Sequence, residues 1–382
     1  MPNISEYTER DLMRLARRHH NTKRTYLLVD PLQGKHVPVS PTRALTMMRA
    51  LGRRMDAALP GIDLVIGFAE TATAVAAAAA EGLGRPVRYL HTTREDFPAG
   101  PDLGFREEHS HAVDHRLCLN RLLPWLEQAR AVALVDDELS TGRTLQGAVA
   151  ALRLHCPALR GKPLLAGSIL SRLSDERLSE LAAEGIRAAA LLRLPLTDYT
   201  QAVQRFAIRG ATPPEAAPMP WETLSLPAPG GDLREGVELT GWLRALREGY
   251  APLLDRLAPR LQGRRVELLG TEEYMLPGLI FGEMLEARGV SARFHATTRS
   301  PIGLCADEGY PIRNGWQLHS FYAPDRTTYI YNLAPCDAAL VLTDTPDSAS
   351  AEAAMADLSA ALGQAGCREI LLLREEKHVQ HI

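Results

Sequence analysis

Two carboxylates, Asp136 and Asp137, follow the apolar run Val132-Ala133-Leu134-Val135 and precede Ser140-Thr141-Gly142-Arg143-Thr144. The apolar run reads as a buried strand, and the hydroxyl- and glycine-rich stretch as a turn into a helix beginning near Leu145. An anion at such a turn meets successive backbone N–H groups and the positive end of a helix. Gly142 lets the backbone approach closely. The acidic pair repels a phosphate directly but accepts hydrogen bonds from ribose hydroxyls, or holds water on a Mg²⁺ that a pyrophosphate also binds. A sugar phosphate satisfies both halves. An ordinary strand-to-helix turn capped by Ser or Thr accounts for a hydroxyl but not for the adjacent acidic pair. The loop also lacks the Gly-Lys-Ser/Thr of an NTPase phosphate loop.

Other residues have the types and places for ligand work. Gly67-Phe68-Ala69-Glu70-Thr71 follows a strand and opens a helix, so its backbone amides suit an anion; Glu70 would repel one unless Mg²⁺ or an arginine intervenes, and otherwise supports the helix N-terminus. Lys35 and His36 follow Gly34 in a turn, where they either reach phosphates as point charges or are simply solvated. His91, Thr92, Thr93 and Arg94 end a strand, the place where ligands gather in open parallel sheets. From Arg94 to Arg116 the chain is polar, with Gly100 and Gly104 as hinges, which reads as a mobile active-site flap. His109 and His111 within it suggest either a metal ligand pair or a solvated His-x-His.

The elements that must position these residues are α/β in both halves. Residues 211–231 contain six prolines and two glycines and read as an interdomain linker. Before it, β-type runs at Tyr26–Val29, Leu64–Gly67, Val132–Asp136, Leu164–Leu170 and Ala188–Leu192 alternate with helical patterns. After it, runs at Val266–Leu269, Ala292–Ala296, Ala338–Leu342 and Ile370–Leu373 do the same, with helices near 274–288 and 350–365. The expected fold is two domains, each a mainly parallel sheet flanked by helices: residues 1–210, a linker at 211–236, and residues 237–382. The halves share a skeleton of strand, Gly67 or Gly270, Glu70 or Glu273, helix, strand, then His-Thr-Thr-Arg (91–94) or His-Ala-Thr-Thr-Arg (295–299). HSHAVDHR at 109–116 then lines up with HSFYAPDR at 319–326, and an internal duplication follows.

The chain has 382 residues, 43 Lys+Arg against 46 Asp+Glu and a net charge of −3, which leaves no basic footprint for nucleic acid. Its five cysteines, Cys118, Cys156, Cys305, Cys336 and Cys367, show no metal-ligand spacing and no disulfide framework. The N-terminus lacks the apolar core of a signal peptide, and the apolar stretch Ala74–Ala80 is too short for a membrane span. A cytoplasmic protein with no membrane partner is expected.

VDDELSTGRT at 135–144 resembles the phosphoribosyl-pyrophosphate (PRPP) motif of type I phosphoribosyltransferases. Together with GKHVPV at 34–39, GFAETA at 67–72, HTTRED at 91–96 and Thr298-Arg299-Ser300-Pro301, the chain resembles, over nearly its whole length, the phosphoribosyltransferase fused to a TRSP domain that is found with tellurium-resistance and stress gene clusters. The resemblance implies a Mg²⁺-dependent enzyme that moves ribose 5-phosphate from PRPP to a base-like acceptor with release of pyrophosphate, making a nucleotide-like stress metabolite. It implies catalytic Asp136 and Asp137 that orient the ribose and hold Mg²⁺ through water. Glu138, Leu139, Ser140, Thr141, Gly142, Arg143 and Thr144 would bind PRPP, and Gly67, Phe68, Ala69, Glu70 and Thr71 the pyrophosphate. Lys35, His36, His91, Thr92, Thr93, Arg94, His109, His111, Thr298, Arg299 and Ser300 are further phosphate or acceptor contacts. Two other classes stay open: a PRPP- or nucleotide-sensing regulator without turnover, and a phosphorylase or phosphatase.

The second half departs at the decisive place. It offers Thr343-Asp344-Thr345-Pro346-Asp347-Ser348-Ala349-Ser350, without the paired acid, the glycine and the arginine. It is therefore expected to bind acceptor or product, or to serve as the partner surface of an internal pseudo-dimer, rather than to bind PRPP in the same way. Type I enzymes commonly pair, so a homodimer is a further expectation.

Overall fold

The computed structural model describes residues 7–19, 25–95, 101–105 and 115–376. The chain forms two compact units. One gathers Leu45–Thr197 and Gly230–Arg244; the other gathers Arg10–Ala44, Asp198–Pro229 and the chain from Ala245 onward.

In the first unit, five parallel strands stand in the order Arg88–His91, Leu64–Gly67, Val132–Leu139, Leu164–Ser171, Ile186–Arg193, with the short strand Val237–Glu238 antiparallel on the Arg88–His91 edge. Numbered along the chain, the parallel order is 2-1-3-4-5. These strands are nearly continuous apolar runs because both faces of a parallel sheet are covered. On one face Leu64, Ile66, Leu134 and Ala166 pack with Leu122 and Leu126 of the helix Leu119–Gln128, and with Leu145, Val149 and Leu152 of the helix Arg143–His155.

The second unit has five parallel strands in the order Ala292–Ala296, Val266–Gly270, Ala338–Thr343, Ile370–Glu376, Glu222–Pro227. Its last four strands along the chain repeat the 2-1-3-4 order of the first unit; the fifth position is taken by a strand from earlier in the chain. Leu269, Val341, Ile370 and Leu372 pack with Met355, Leu358 and Leu362 of the helix Ala349–Gln364. Each unit also inserts an antiparallel hairpin between its second and third strands: Asp102–Phe105 with His115–Cys118, and Gly315–His319 with Thr327–Tyr331.

The expected bounds and the compact units differ in two places. Residues 211–236 are not a bare linker: Glu222–Pro227 completes the second sheet beside Ile370–Glu376, because Thr223, Leu224 and Leu226 supply strand residues between the prolines. Residues 10–44 fold with the second unit, although they lie far upstream. Arg14–Arg17 pairs with Tyr26–Val29, and Ala16 and Val29 join Ile302, Leu304, Ile312 and Tyr331 in a small core of their own. Val39 bridges Phe294, which fixes the following segment.

Candidate functional site

In the first unit the sheet register places Gly67 level with His91 on one side and with Val135 on the other. Phe68–Thr71 and Thr92–Glu95 therefore leave the carboxyl ends of two adjacent strands beside the third, which carries Asp136, in the region where open parallel sheets bind ligands. Gly67 is required by space: a Cβ there would stand 2.7 Å from Ala76 Cβ. Ala69 N–H donates to Thr92 Oγ1 at 2.8 Å, and Phe68 N–H donates to the Val135 carbonyl at 3.0 Å. Glu70 is buried, and the helix Thr73–Gly82 that follows has no side-chain cap. Glu70 does not serve as that cap.

The strand Val132–Leu139 runs past the acidic pair, further than the apolar pattern suggests, because Asp136 and Glu138 still pair with Ser168 and Leu170. Asp136 and Asp137 are half-buried, and Asp137 N–H donates to Asp136 Oδ1 at 2.9 Å. Gly142 has φ 70° and is the N-cap of the helix Arg143–His155, which carries no side-chain cap. Any other residue there would be strained, and its Cβ would press on Leu173 Cδ2 at 3.2 Å. The helix thus begins at a glycine, and its Arg143 N–H donates to Thr141 Oγ1 at 3.4 Å.

Glu138 and Leu139 are placed otherwise than as phosphate contacts. Glu138 Oε1 accepts from Arg172 Nε at 2.8 Å, and the Leu139 side chain is buried in the core. Ser140, Thr141, Arg143 and Thr144 line the turn, Thr141 and Arg143 being exposed.

His91 Nδ1 lies 2.8 Å from the Thr92 carbonyl, while Thr92 Oγ1 lies 3.0 Å from His115 Nδ1. Thr93 pairs through its main chain with Arg116 of the hairpin. His109 and His111 lie outside the described residues. The sequence places His115 only within the polar 94–116 segment, and it does not point to Arg172 or to Arg177, whose Nε donates to the Thr141 carbonyl at 2.9 Å and steadies the loop. Arg172 immediately follows the strand Leu164–Ser171, so the strand-end rule applied to the fourth strand would have found it.

Five expected contacts belong to the second unit instead. Lys35 is fully buried, and its Nζ donates to the Glu272 and Thr297 carbonyls at 2.8 and 2.9 Å. His36 is buried beside Tyr331, with ring centroids 6.3 Å apart. Thr298 pairs with Tyr329, and its Oγ1 accepts from Ser300 N–H at 3.2 Å. Arg299 Nε donates to Glu272 Oε2 at 3.0 Å, and the Ser300 carbonyl accepts from Tyr331 OH at 2.8 Å. In this unit Thr298, Arg299 and Ser300 build a corner of the fold.

Two sequence equivalences shift in register. Gly67 pairs with His91 but Gly270 with Ala296, so His295 is not the counterpart of His91. His295 is instead buried with Nδ1 2.7 Å from Glu267 Oε1. Thr93 faces Arg116 but Thr298 faces Tyr329, so Arg326 is not the counterpart of Arg116.

Among the described residues no cluster of three or more His, Cys, Asp or Glu could hold a metal by itself, and no helix is long and apolar enough to cross a membrane. The acidic pair offers hard oxygen donors, which fits a Mg²⁺ held mostly by substrate phosphates and water.

The family model described as phosphoribosyl transferase matches residues 12–189, which carry a phosphoribosyltransferase domain. The chain joins that transferase domain to a TRSP domain, the family described as C-terminal to it, which matches residues 234–362. Orotate phosphoribosyltransferase from Aeropyrum pernix is similar at 19% identity, over 40% of this chain and 73% of its own, with a TM-score of 0.27. The Giardia lamblia adenine phosphoribosyltransferase solved with 9-deazaadenine is 18% identical over 48% of this chain and 94% of its own, with a TM-score of 0.35. The adenine phosphoribosyltransferase of Thermoanaerobacter pseudethanolicus is 17% identical over 48% and 96%, with a TM-score of 0.32. No curated protein matches the chain.

Proposed function

We propose that the first unit binds PRPP with Mg²⁺ and transfers ribose 5-phosphate to a base-like acceptor. The observation that carries this reading is the acidic pair near the carboxyl end of a parallel strand that leads, through the 140–142 turn, into a helix whose N-cap is a left-handed glycine without a side-chain cap. Asp136 and Asp137 orient the ribose hydroxyls, the 140–144 turn receives the 5′-phosphate, and the backbone of Gly67–Thr71 receives the pyrophosphate. Mg²⁺, held through water by Asp136 and Asp137, would supply positive charge against the pyrophosphate. The acceptor nitrogen forms a bond to C1′ as the C1′–oxygen bond breaks and pyrophosphate departs with the electron pair; the proton of the acceptor nitrogen passes to solvent. The chain's task is positioning and charge stabilisation of a cation-like transition state rather than covalent catalysis.

The same reading gives the residues around the first sheet to transfer and those around the second to the TRSP domain, and treats the two sheets as products of an internal duplication. Supporting it are the shared 2-1-3-4 strand order, the hairpin inserted at the same point, and the paired bonds Ala69 N–H to Thr92 Oγ1 and Glu272 N–H to Thr297 Oγ1. By the resemblance of its motifs, the enzyme makes a nucleotide-like stress metabolite linked to tellurium resistance, and its five unpatterned cysteines fit a reducing cytoplasm.

Pyrophosphate release with PRPP, Mg²⁺ and a panel of bases and cell-extract small molecules tests turnover, and calorimetry tests binding. Asp136→Asn/Asp137→Asn should weaken PRPP binding by roughly 3 kcal/mol or more, about a hundredfold, through loss of two charge-assisted contacts. Folded variants, Gly142→Val included, that bind PRPP as tightly as the parent would overturn the site. Binding without pyrophosphate release for any acceptor would mark a PRPP sensor instead of an enzyme.

A further inference from the structure

The loops after the first strand of each sheet are built on the same bonds and filled differently. Ala69 and Glu272 both stand two residues beyond the strand-ending glycine, and both donate their N–H to the threonine that follows the neighbouring strand, at 2.8 and 2.9 Å. Only the second carries a carboxylate. Glu272 is fully buried, with a left-handed φ of 48° that its surroundings must hold in place. Its Oε1 accepts from Ser320 Oγ at 2.6 Å; its Oε2 accepts from Arg299 Nε at 3.0 Å and from Arg326 Nη1 at 3.2 Å. Two guanidiniums and a hydroxyl converging on one dry anionic group is the arrangement that holds a phosphate oxygen. The neighbouring helix Ala349–Gln364 is closed as well: Ser348 Oγ accepts from Ala351 N–H at 3.1 Å, where the first unit has an uncapped glycine.

We propose that the second unit is an anion site closed by its own side chain. Glu272 supplies the negative charge that an oxyanion ligand would bring, so this unit takes up neither PRPP nor pyrophosphate, and deleting the carboxylate opens a site for a pyrophosphate-class oxyanion between Arg299 and Arg326. Removing one member of a buried ion network leaves the others uncompensated, which is the source of the gained affinity. The inference is independent of the first unit's chemistry, because the test silences that unit.

In the full chain carrying Asp136→Asn/Asp137→Asn/Gly142→Val, the rates at which phenylglyoxal modifies Arg299 and Arg326 are followed by peptide mass mapping with and without inorganic pyrophosphate. With Glu272 present, pyrophosphate should leave both rates within about twofold; with Glu272→Ala both rates should rise, and pyrophosphate should then slow each by about tenfold or more. Glu272→Gly, which removes the side chain at a left-handed φ that glycine adopts readily, provides the same reading if the alanine variant fails to fold, and it too should gain protection. Protection of Arg299 and Arg326 by pyrophosphate while Glu272 is intact would overturn the proposal. So would the absence of protection in a folded Glu272→Ala or Glu272→Gly chain. Failure of the first-unit reading would appear elsewhere, as a chain with native Asp136, Asp137 and Gly142 that binds no PRPP.

Discussion

The turn after the third parallel strand of each sheet ends in opposite ways. In the first unit a strand ending Asp136-Asp137-Glu138-Leu139 leads to a glycine at φ 70° and a helix with no side-chain cap. In the second, Tyr322 OH donates to Asp344 Oδ1 at 2.5 Å, Arg374 pairs with Asp347, and Ser348 caps the helix. Side chains that satisfy one another take the hydrogen-bonding capacity that a ligand needs, whereas a loop of backbone donors keeps it available. One strand order therefore carries two differently bonded turns, of which the first is the one proposed to take an external anion. Fold alone does not distinguish the two; the partners of each polar group do.

The largest effect should come from moving the acid-to-amide change between units. Asp136→Asn/Asp137→Asn should lower pyrophosphate release by about a hundredfold or more, whereas Asp344→Asn should leave it unchanged. Equal losses from both would break the comparison.

A smaller but structural effect is expected at Lys35, whose ammonium satisfies the carbonyls of Glu272 and Thr297. Lys35→Met should destabilise the second unit by about 2–4 kcal/mol by leaving two buried acceptors unmade. Hydrogen exchange in Val266–Gly270 would report this, with exchange in Leu64–Gly67 unaltered. Faster exchange only in the first unit would mean that Lys35 serves the first site after all.

Tyr322→Phe should cost the second unit about 1–2 kcal/mol, the worth of one bond to a charged acceptor, as read by urea unfolding. The smallest effect concerns acid. Arg85, which donates to Asp56 at 2.5 Å, holds the Asp56 carboxyl below its usual range. A carboxyl with a lowered folded pKa contributes stability above its unfolded value, near pH 4, and loses it as pH falls through the folded value. Asp56→Asn should therefore flatten the acid limb of first-unit stability by less than about 1 kcal/mol, since Asp56 is partly solvated.

Much of this was legible in residue order because both sheets are parallel and buried. Leu64–Gly67 and Ala292–Ala296 form where the apolar runs stand, and the helix after Gly142 begins at Arg143. Other features depend on which distant segments meet. Glu222–Pro227 hides its strand character among prolines and becomes a strand only because Ile370–Glu376 offers an edge. Lys35 reads as a solvated or phosphate-reaching lysine until the fold of residues 10–44 with the second unit supplies its carbonyl partners. The extra alanine in His-Ala-Thr-Thr-Arg shifts His295 off the position of His91, and identity alone conceals that shift. Glu272 carries no signal in the residue order, because its meaning lies in Arg299 and Arg326 reaching it from elsewhere in the chain.

The most direct test of the central claim is the number of PRPP molecules bound per chain in the presence of Mg²⁺, measured by calorimetry at several chain concentrations. One equivalent is expected, abolished by Asp136→Asn/Asp137→Asn and retained in a folded Thr298→Ala variant. Two equivalents, or one that survives the acidic-pair change and is lost with Thr298→Ala, would contradict the assignment of an open first site and a closed second one.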